Sequence, residues 1–152
     1  MKKFELTSEF VTFLGKTLFR IKALVSFGDV SEGELGGFIE RENNLDQSGD
    51  AWVSGDAQVF GNARVFGNAR VCGNARVQNC RDYSATSCFG SENRTTTFFR
   101  TKDGGISVRC GCFYGTLREF REKVKERHGY SRLAKEYLML ADLMEFRLSK
   151  DE

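Results

Sequence analysis

Apolar and polar positions change period several times along this chain, and each change predicts a different element. Lys3-Phe-Glu-Leu-Thr7 alternates over a short strand. Thr17 to Leu24 alternates again, with Phe19, Ile21 and Ala23 on one face and Arg20 and Lys22 on the other, a half-buried strand. From Ser48 to Val77 the period becomes six, and one phrase is repeated five times without a break. Its valines recur at Val53, Val59, Val65, Val71 and Val77, with an alanine four residues after each of the first four and Gly-Asp or Gly-Asn between. Alternation returns at Thr95–Arg100 and Ile106–Phe113, which predicts a β-hairpin around Asp103-Gly104. Beyond Thr116 the period is helical. Leu117, Phe120 and Val124 share one face of a helix that opens on a Thr116/Glu119 capping box and ends near His128-Gly129. A second helix is predicted over 131–149, with two adjoining apolar stripes, Leu133, Tyr137, Leu140, Met144 and Ala134, Leu138, Ala141, Leu148.

A fixed six-residue repeat dictates architecture before any local propensity does. A coiled coil needs a period near 3.5 and collagen needs Gly at every third position with abundant Pro, which this chain lacks altogether. The phrase resembles the hexapeptide-repeat family, whose left-handed parallel β-helix uses three hexapeptides per coil. That resemblance implies valine in mid-face, alanine near the corner where space is small, and Gly-Asp or Gly-Asn turning the corner. Residues eighteen apart then stack about 4.8 Å apart. Val53 lies under Val71, Val59 under Val77, Trp52 against Arg70, and Arg64 near Asp82. Arg64, Arg70 and Arg76 fall on different sides and form no basic ladder. The expected fold is mainly β: a short left-handed parallel β-helix with an N-terminal β cap, a C-terminal hairpin and two α-helices. Its parts are residues 1–32, 33–89 and 90–152. The middle part opens on a degenerate coil with Leu35 eighteen residues before Val53, and Ile39 and Leu45 in the alanine register. At its far end Tyr83 and Phe89 keep the inward slot while the Gly-Asn corner is lost.

Composition narrows the function more than it defines it. The 152 residues carry a formal charge of +2, so nothing demands a polyanionic partner or sequence-specific nucleic acid. No apolar run is long enough to span a membrane, and Met-Lys-Lys-Phe-Glu-Leu has no signal-peptide core. Five cysteines, at 72, 80, 88, 110 and 112, are an odd number and fit no closed disulfide framework, which points to a cytoplasm.

Catalytic chemistry is scarce. Acyltransferases of the hexapeptide family have a histidine on or beside the coils, and the related γ-class carbonic anhydrases use three. This chain has one, His128, at a helix C-terminus where the helix dipole explains a histidine by itself. No Ser-His-Asp set and no phosphate-cradling Gly-Lys-Ser/Thr loop is present. Cys110-Gly-Cys112 has too few ligands for structural zinc and reads as buried apolar filler. No catalytic residue, metal or cofactor is expected. Arg94, Thr95, Thr97, Arg100 and Lys102 combine hydroxyls and cations that suit a phosphate, although threonine is also simply a favoured strand residue.

Taken whole, the chain resembles a group of small phage and prophage proteins of gut bacteria. The resemblance runs through Phe4-Glu-Leu-Thr, Leu18–Leu24, Phe27-Gly-Asp-Val30, Leu35–Glu40, Asn44-Leu45, the hexapeptides, Thr95–Arg100 and Cys110-Gly-Cys-Phe113. It implies a viral accessory protein acting in the host bacterial cytoplasm by binding, as a counter-defence inhibitor of an immune protein. Trp52, Phe60, Phe66 and Arg70 are the expected partner-binding residues, with packing beneath the terminal hairpin or helices as the alternative for the aromatics, the favoured one for Phe60 and Phe66. Leu133, Tyr137, Leu140 and Met144 are the expected homo-oligomer interface, with packing against the hairpin as the alternative. The other functional expectations are a sponge for an immune nucleotide signal and, least supported, an acyltransferase-like enzyme.

Overall fold

The computed structural model describes residues 2–89 and 94–149, the side chains of Cys88, Phe89 and Arg94 excepted. The chain is mainly β, with a parallel solenoid in its middle and two helices at its end. Strands β4 (Trp52–Val53) and β6 (Arg70–Val71) pair in parallel, as do β5 (Gln58–Val59) and β7 (Arg76–Val77). Each pair is offset by eighteen residues, so Val53 stacks on Val71 and Val59 on Val77. All five valines and Ala51, Ala57, Ala63, Ala69 and Ala75 are buried in one core. The corner glycines Gly49, Gly55, Gly61, Gly67 and Gly73 have φ between 63° and 74°, where a Cβ would meet the following carbonyl.

The first coil departs from the sequence reading. Strand β3 (Leu35–Ile39) pairs with β5 through Phe38↔Gln58 and Ile39↔Val59, and Leu45 bridges Val65. Those offsets are twenty, not eighteen, so Ile39 and Leu45 occupy the valine slot rather than the alanine slot, and Leu35 is exposed. The two extra residues lie between Leu45 and Val53, at a corner that receives the start of the chain. There the Gln47 side chain accepts from the Lys3 and Phe4 amides at 2.7 and 3.3 Å. The Lys3 ammonium donates to the Ala51 carbonyl at 2.8 Å, and burial holds its pKa below the ordinary lysine value.

Further strands and helices flank the solenoid on both sides. At the N-terminal side, β1 (Phe4–Phe13) and β2 (Lys16–Ala23) form a hairpin, and β2 runs antiparallel to β3. Strand β1 is longer than the alternation suggested, because pairing with β2 carries it past the polar Ser8-Glu9 through a register shift. At the far side lies a second sheet ordered β11-β10-β9-β8, made of β8 (Tyr83–Phe89), β9 (Arg94–Arg100), β10 (Ile106–Cys110) and β11 (Phe113–Thr116). Successive residues of β9 serve two cores. Phe99 enters the solenoid core, whereas Phe98 packs with helices α1 (Leu117–His128) and α2 (Arg132–Leu148). Helix α1 starts on a complete Thr116/Glu119 capping box and stops at Gly129, whose φ is 57°.

Tyr83 locks the junction. Its ring sits in the solenoid core and its hydroxyl donates to the Arg64 carbonyl at 2.6 Å. Burial pushes the phenol up from 10.0 to about 12. An unfolded chain loses this proton from about pH 10 while the folded chain keeps it, so stability falls as pH rises from 10 toward 12 and is untouched below. Denaturation across that window should show a steeper alkaline loss for the wild type than for Tyr83→Phe. Equal slopes would place the loss elsewhere.

Candidate functional site

The structure scatters the sequence-derived sites, and the reasons are local. Trp52 pairs in register with Arg70, as the eighteen-residue offset predicts, but it is 1 % exposed rather than on the surface. The segment that bridges Phe27 to Val30 folds over it, and Phe27 meets its ring edge-on at 5.3 Å. Arg70 turns instead to Asp29 at 2.6 Å. Phe60 is equally buried, in a small outer cluster with Leu18 and Phe38 beneath the first hairpin. Trp52 and Phe60 therefore offer a partner no surface. Phe66 is 57 % exposed and lines a hollow of ≈ 360 Å³ with Thr95, Tyr83 and Arg147.

The strand of threonines and cations does not converge either. Thr97 is buried and its hydroxyl accepts from the Arg70 amide at 3.0 Å, standing in for the next coil at a solenoid edge. Thr95 shares a hydrogen bond with Ser87. Arg100 is a staple: it holds Asp82 at 2.7 Å and donates to the Leu148 and Ser149 carbonyls at 2.6 and 3.3 Å, fastening the end of α2. Asp82 is thus paired with Arg100, and Arg64 with Asp46 at 3.9 Å. The Arg94 side chain lies outside the described residues. Of the set, Arg100 and Lys102 face a different place, described below.

Tyr137, Leu140 and Met144 are buried against α1 and the second sheet, and Leu133 is half-buried, so this broad face is core rather than a subunit contact. The opposite face of α2 is the unexpected one. Met139, Leu143 and Phe146 follow at helical spacing and are 71 %, 55 % and 83 % exposed. Arg147, next to Phe146, reaches the hollow that holds Phe66. The sequence signal was present, since three apolar residues recur at i, i+4 and i+7, but two stronger stripes on the same helix masked it.

A second candidate is a cleft of ≈ 250 Å³ between the tip of the first hairpin and the 101–104 turn. Phe13 and Leu14 form one side, with Phe60 behind. Arg76 lies 3.7 Å over the Phe13 ring and its Nε donates to Gln58 at 3.2 Å. Arg100, Asp82 and Lys102 form the other side, so three cations face one carboxylate. Leu14 is the one non-glycine residue with positive φ among the described residues, at 52°, and is 75 % exposed. A wider groove of ≈ 720 Å³ beside the start of α1 is spent internally. Its Glu119 accepts from the Thr116 amide, its Glu145 from Arg121, and its Asp103 bonds Thr101.

Among the described residues no group of three or more His, Cys, Asp or Glu side chains is placed to hold a metal ion. His128 stacks on Tyr137 at 5.6 Å. Cys110 accepts from the Thr96 hydroxyl at 3.2 Å, and burial raises the pKa of the Cys72 thiol. No described helix is long and apolar enough to cross a membrane.

Parallel rungs at an eighteen-residue offset define a β-solenoid protein with an appended sheet-and-helix layer. Sequence comparison agrees at the level of the repeat: residues 57–71 and 69–79 match the family model of the YdcK beta solenoid repeat. No curated protein matches the chain.

Proposed function

We propose that this is a non-enzymatic phage accessory protein that docks on a host bacterial immune protein and blocks it in the host cytoplasm. The observation that carries this reading is the outer face of α2. Met139, Leu143 and Phe146 form an apolar row on the side of the helix opposite the core. Contiguous exposed apolar surface of this kind marks interaction sites, and large side chains dominate their energetics. Phe66 and Arg147 extend the row toward the solenoid. The phage origin and the left hand of the coil rest on the resemblance of the hexapeptides and flanking motifs. A rigid solenoid suits the role because it presents a helix without rearranging.

The test uses tagged wild type and a Leu143→Glu/Phe146→Glu variant. Both positions are exposed, so the variant should melt as the wild type does. Wild type should retain one host protein from bacterial lysate and, with that protein purified, inhibit its activity. The variant should bind about 30-fold more weakly or worse. A control at Leu35, also exposed but on the solenoid, should bind normally. Undiminished binding by the α2 variant would remove the face from the interaction. A wild-type dimer in sedimentation that the variant turns into monomer would assign the row to self-association instead.

A further inference from the structure

We infer that the cleft between the first hairpin tip and the 101–104 turn binds a small phosphate monoester carried on an apolar or aromatic group, of mononucleotide size. This assignment is independent of the partner-binding face on α2. It starts from charge. Arg100 and Asp82 neutralise each other at 2.7 Å, and the Arg100 Nε and Nη2 donate to the carbonyls at the end of α2. Arg76 and Lys102 have no carboxylate within ion-pair distance among the described residues. The cleft therefore holds two uncompensated cations. A phosphate monoester carries about −1.5 to −2 at neutral pH, which matches them.

Arg76 is also prepared for the task. The Phe13 ring and the Gln58 oxygen fix its guanidinium plane, using Nε and leaving both Nη groups without a protein acceptor among the described residues. A guanidinium held in place loses little freedom when it forks onto phosphate oxygens. Lys102 lies across the cleft on an exposed turn anchored by its amide to the Asn74 carbonyl at 2.9 Å. Lys102 can close on the anion as a mobile point charge.

Leu14 supplies the apolar part. It stands at the cleft wall with φ 52°, a left-handed conformation in which a side chain crowds the following carbonyl. The following Gly15 has φ 77°, and such a two-residue hairpin turn is ordinarily filled by Asn-Gly. A strained leucine that is 75 % exposed contributes nothing to the core. Backbone strain of this kind collects at ligand sites, and with Phe13 it gives the cleft an apolar wall. At ≈ 250 Å³ the cleft is smaller than the ~300–1,000 Å³ sites of drug-sized ligands, so one phosphorylated unit fits and a dinucleotide does not.

The test is calorimetry with adenosine 5′-monophosphate, set against adenosine and inorganic phosphate, at low and raised salt. The monophosphate should bind saturably, more tightly than either component, and more weakly as salt screens the cations. Lys102→Ala, at an exposed position that leaves the fold intact, should weaken binding about tenfold, and Arg76→Gln by about the same or more. Leu14→Asn should raise thermal stability while reducing the preference for the monophosphate over inorganic phosphate, a split that a purely structural leucine would not produce. Absence of binding, or binding indifferent to Lys102→Ala and Arg76→Gln, overturns the site. Equal binding of adenosine overturns the phosphate assignment. Equal binding of inorganic phosphate overturns the apolar one.

Discussion

Replacing Trp52 with alanine should cost about 3–5 kcal/mol of stability, while Trp52→Phe should cost far less. The indole is the largest fully buried side chain, held between its own rung and the Phe27 ring at 5.3 Å. Its surroundings are built tightly to it. A Cβ added at Gly36 would lie 2.7 Å from the Trp52 ring and 2.5 Å from the Val53 carbonyl, so that glycine exists to let the strand approach. Alanine at 52 would open a cavity that a hydrogen-bonded rung cannot collapse to fill. Phenylalanine keeps most of the ring, and it removes a liability: the Trp52 Nε1 is buried with no hydrogen-bond partner. A desolvated, unpaired donor costs about 1–3 kcal/mol, which offsets part of the lost apolar contact. Urea denaturation of the three proteins checks this. Equal losses for Ala and Phe would mean that a phenyl ring does not fill the space the indole occupies.

The second large effect falls on β9. Phe98→Ala and Phe99→Ala should each cost about 3–5 kcal/mol, since both rings are fully buried, but they should loosen different halves of the molecule. Phe99 belongs to the solenoid core with Val71 and Val77, two residues from Thr101, which bridges Ala75. Phe98 meets Phe120 edge-on at 5.7 Å in the helical layer. Hydrogen exchange should therefore speed up in β6 and β7 for Phe99→Ala and in α1 and α2 for Phe98→Ala. If both variants loosened the whole chain equally, the two cores would form one cooperative unit, and β9 would be the reason.

Residues 48–77 announce their own structure because each phrase places valine, alanine and a left-handed glycine at a fixed spacing, and the offset of Val53 from Val71 follows directly. The helices were equally legible. Thr116/Glu119 and Ser131 are caps whose hydrogen bonds are local, so no distant contact could change them. Such features depend on neighbours within a few residues, and those neighbours are written in the sequence.

The register of the first coil was not, because two residues between Leu45 and Val53 shift it and their role is to hold Lys3 and Phe4, more than forty positions away. Trp52 read as a surface anchor for the same reason, and Phe60 as either an anchor or a packed ring. An outward slot on a solenoid is exposed only until another segment crosses it, and 27–30 and the first hairpin do so here. Arg100 read as a phosphate ligand because its carboxylate, Asp82, is eighteen positions distant, and its carbonyl partners lie at the end of α2. Arg76 drew no attention as one of three repeat arginines until the fold set it on Phe13 beside Lys102. The sequence by itself determined the period, the inward slots, the corners and the caps. Only the tertiary structure decided which outward residues are covered, which charges are neutralised and which remain free to bind, since those depend on what segment arrives from elsewhere in the chain.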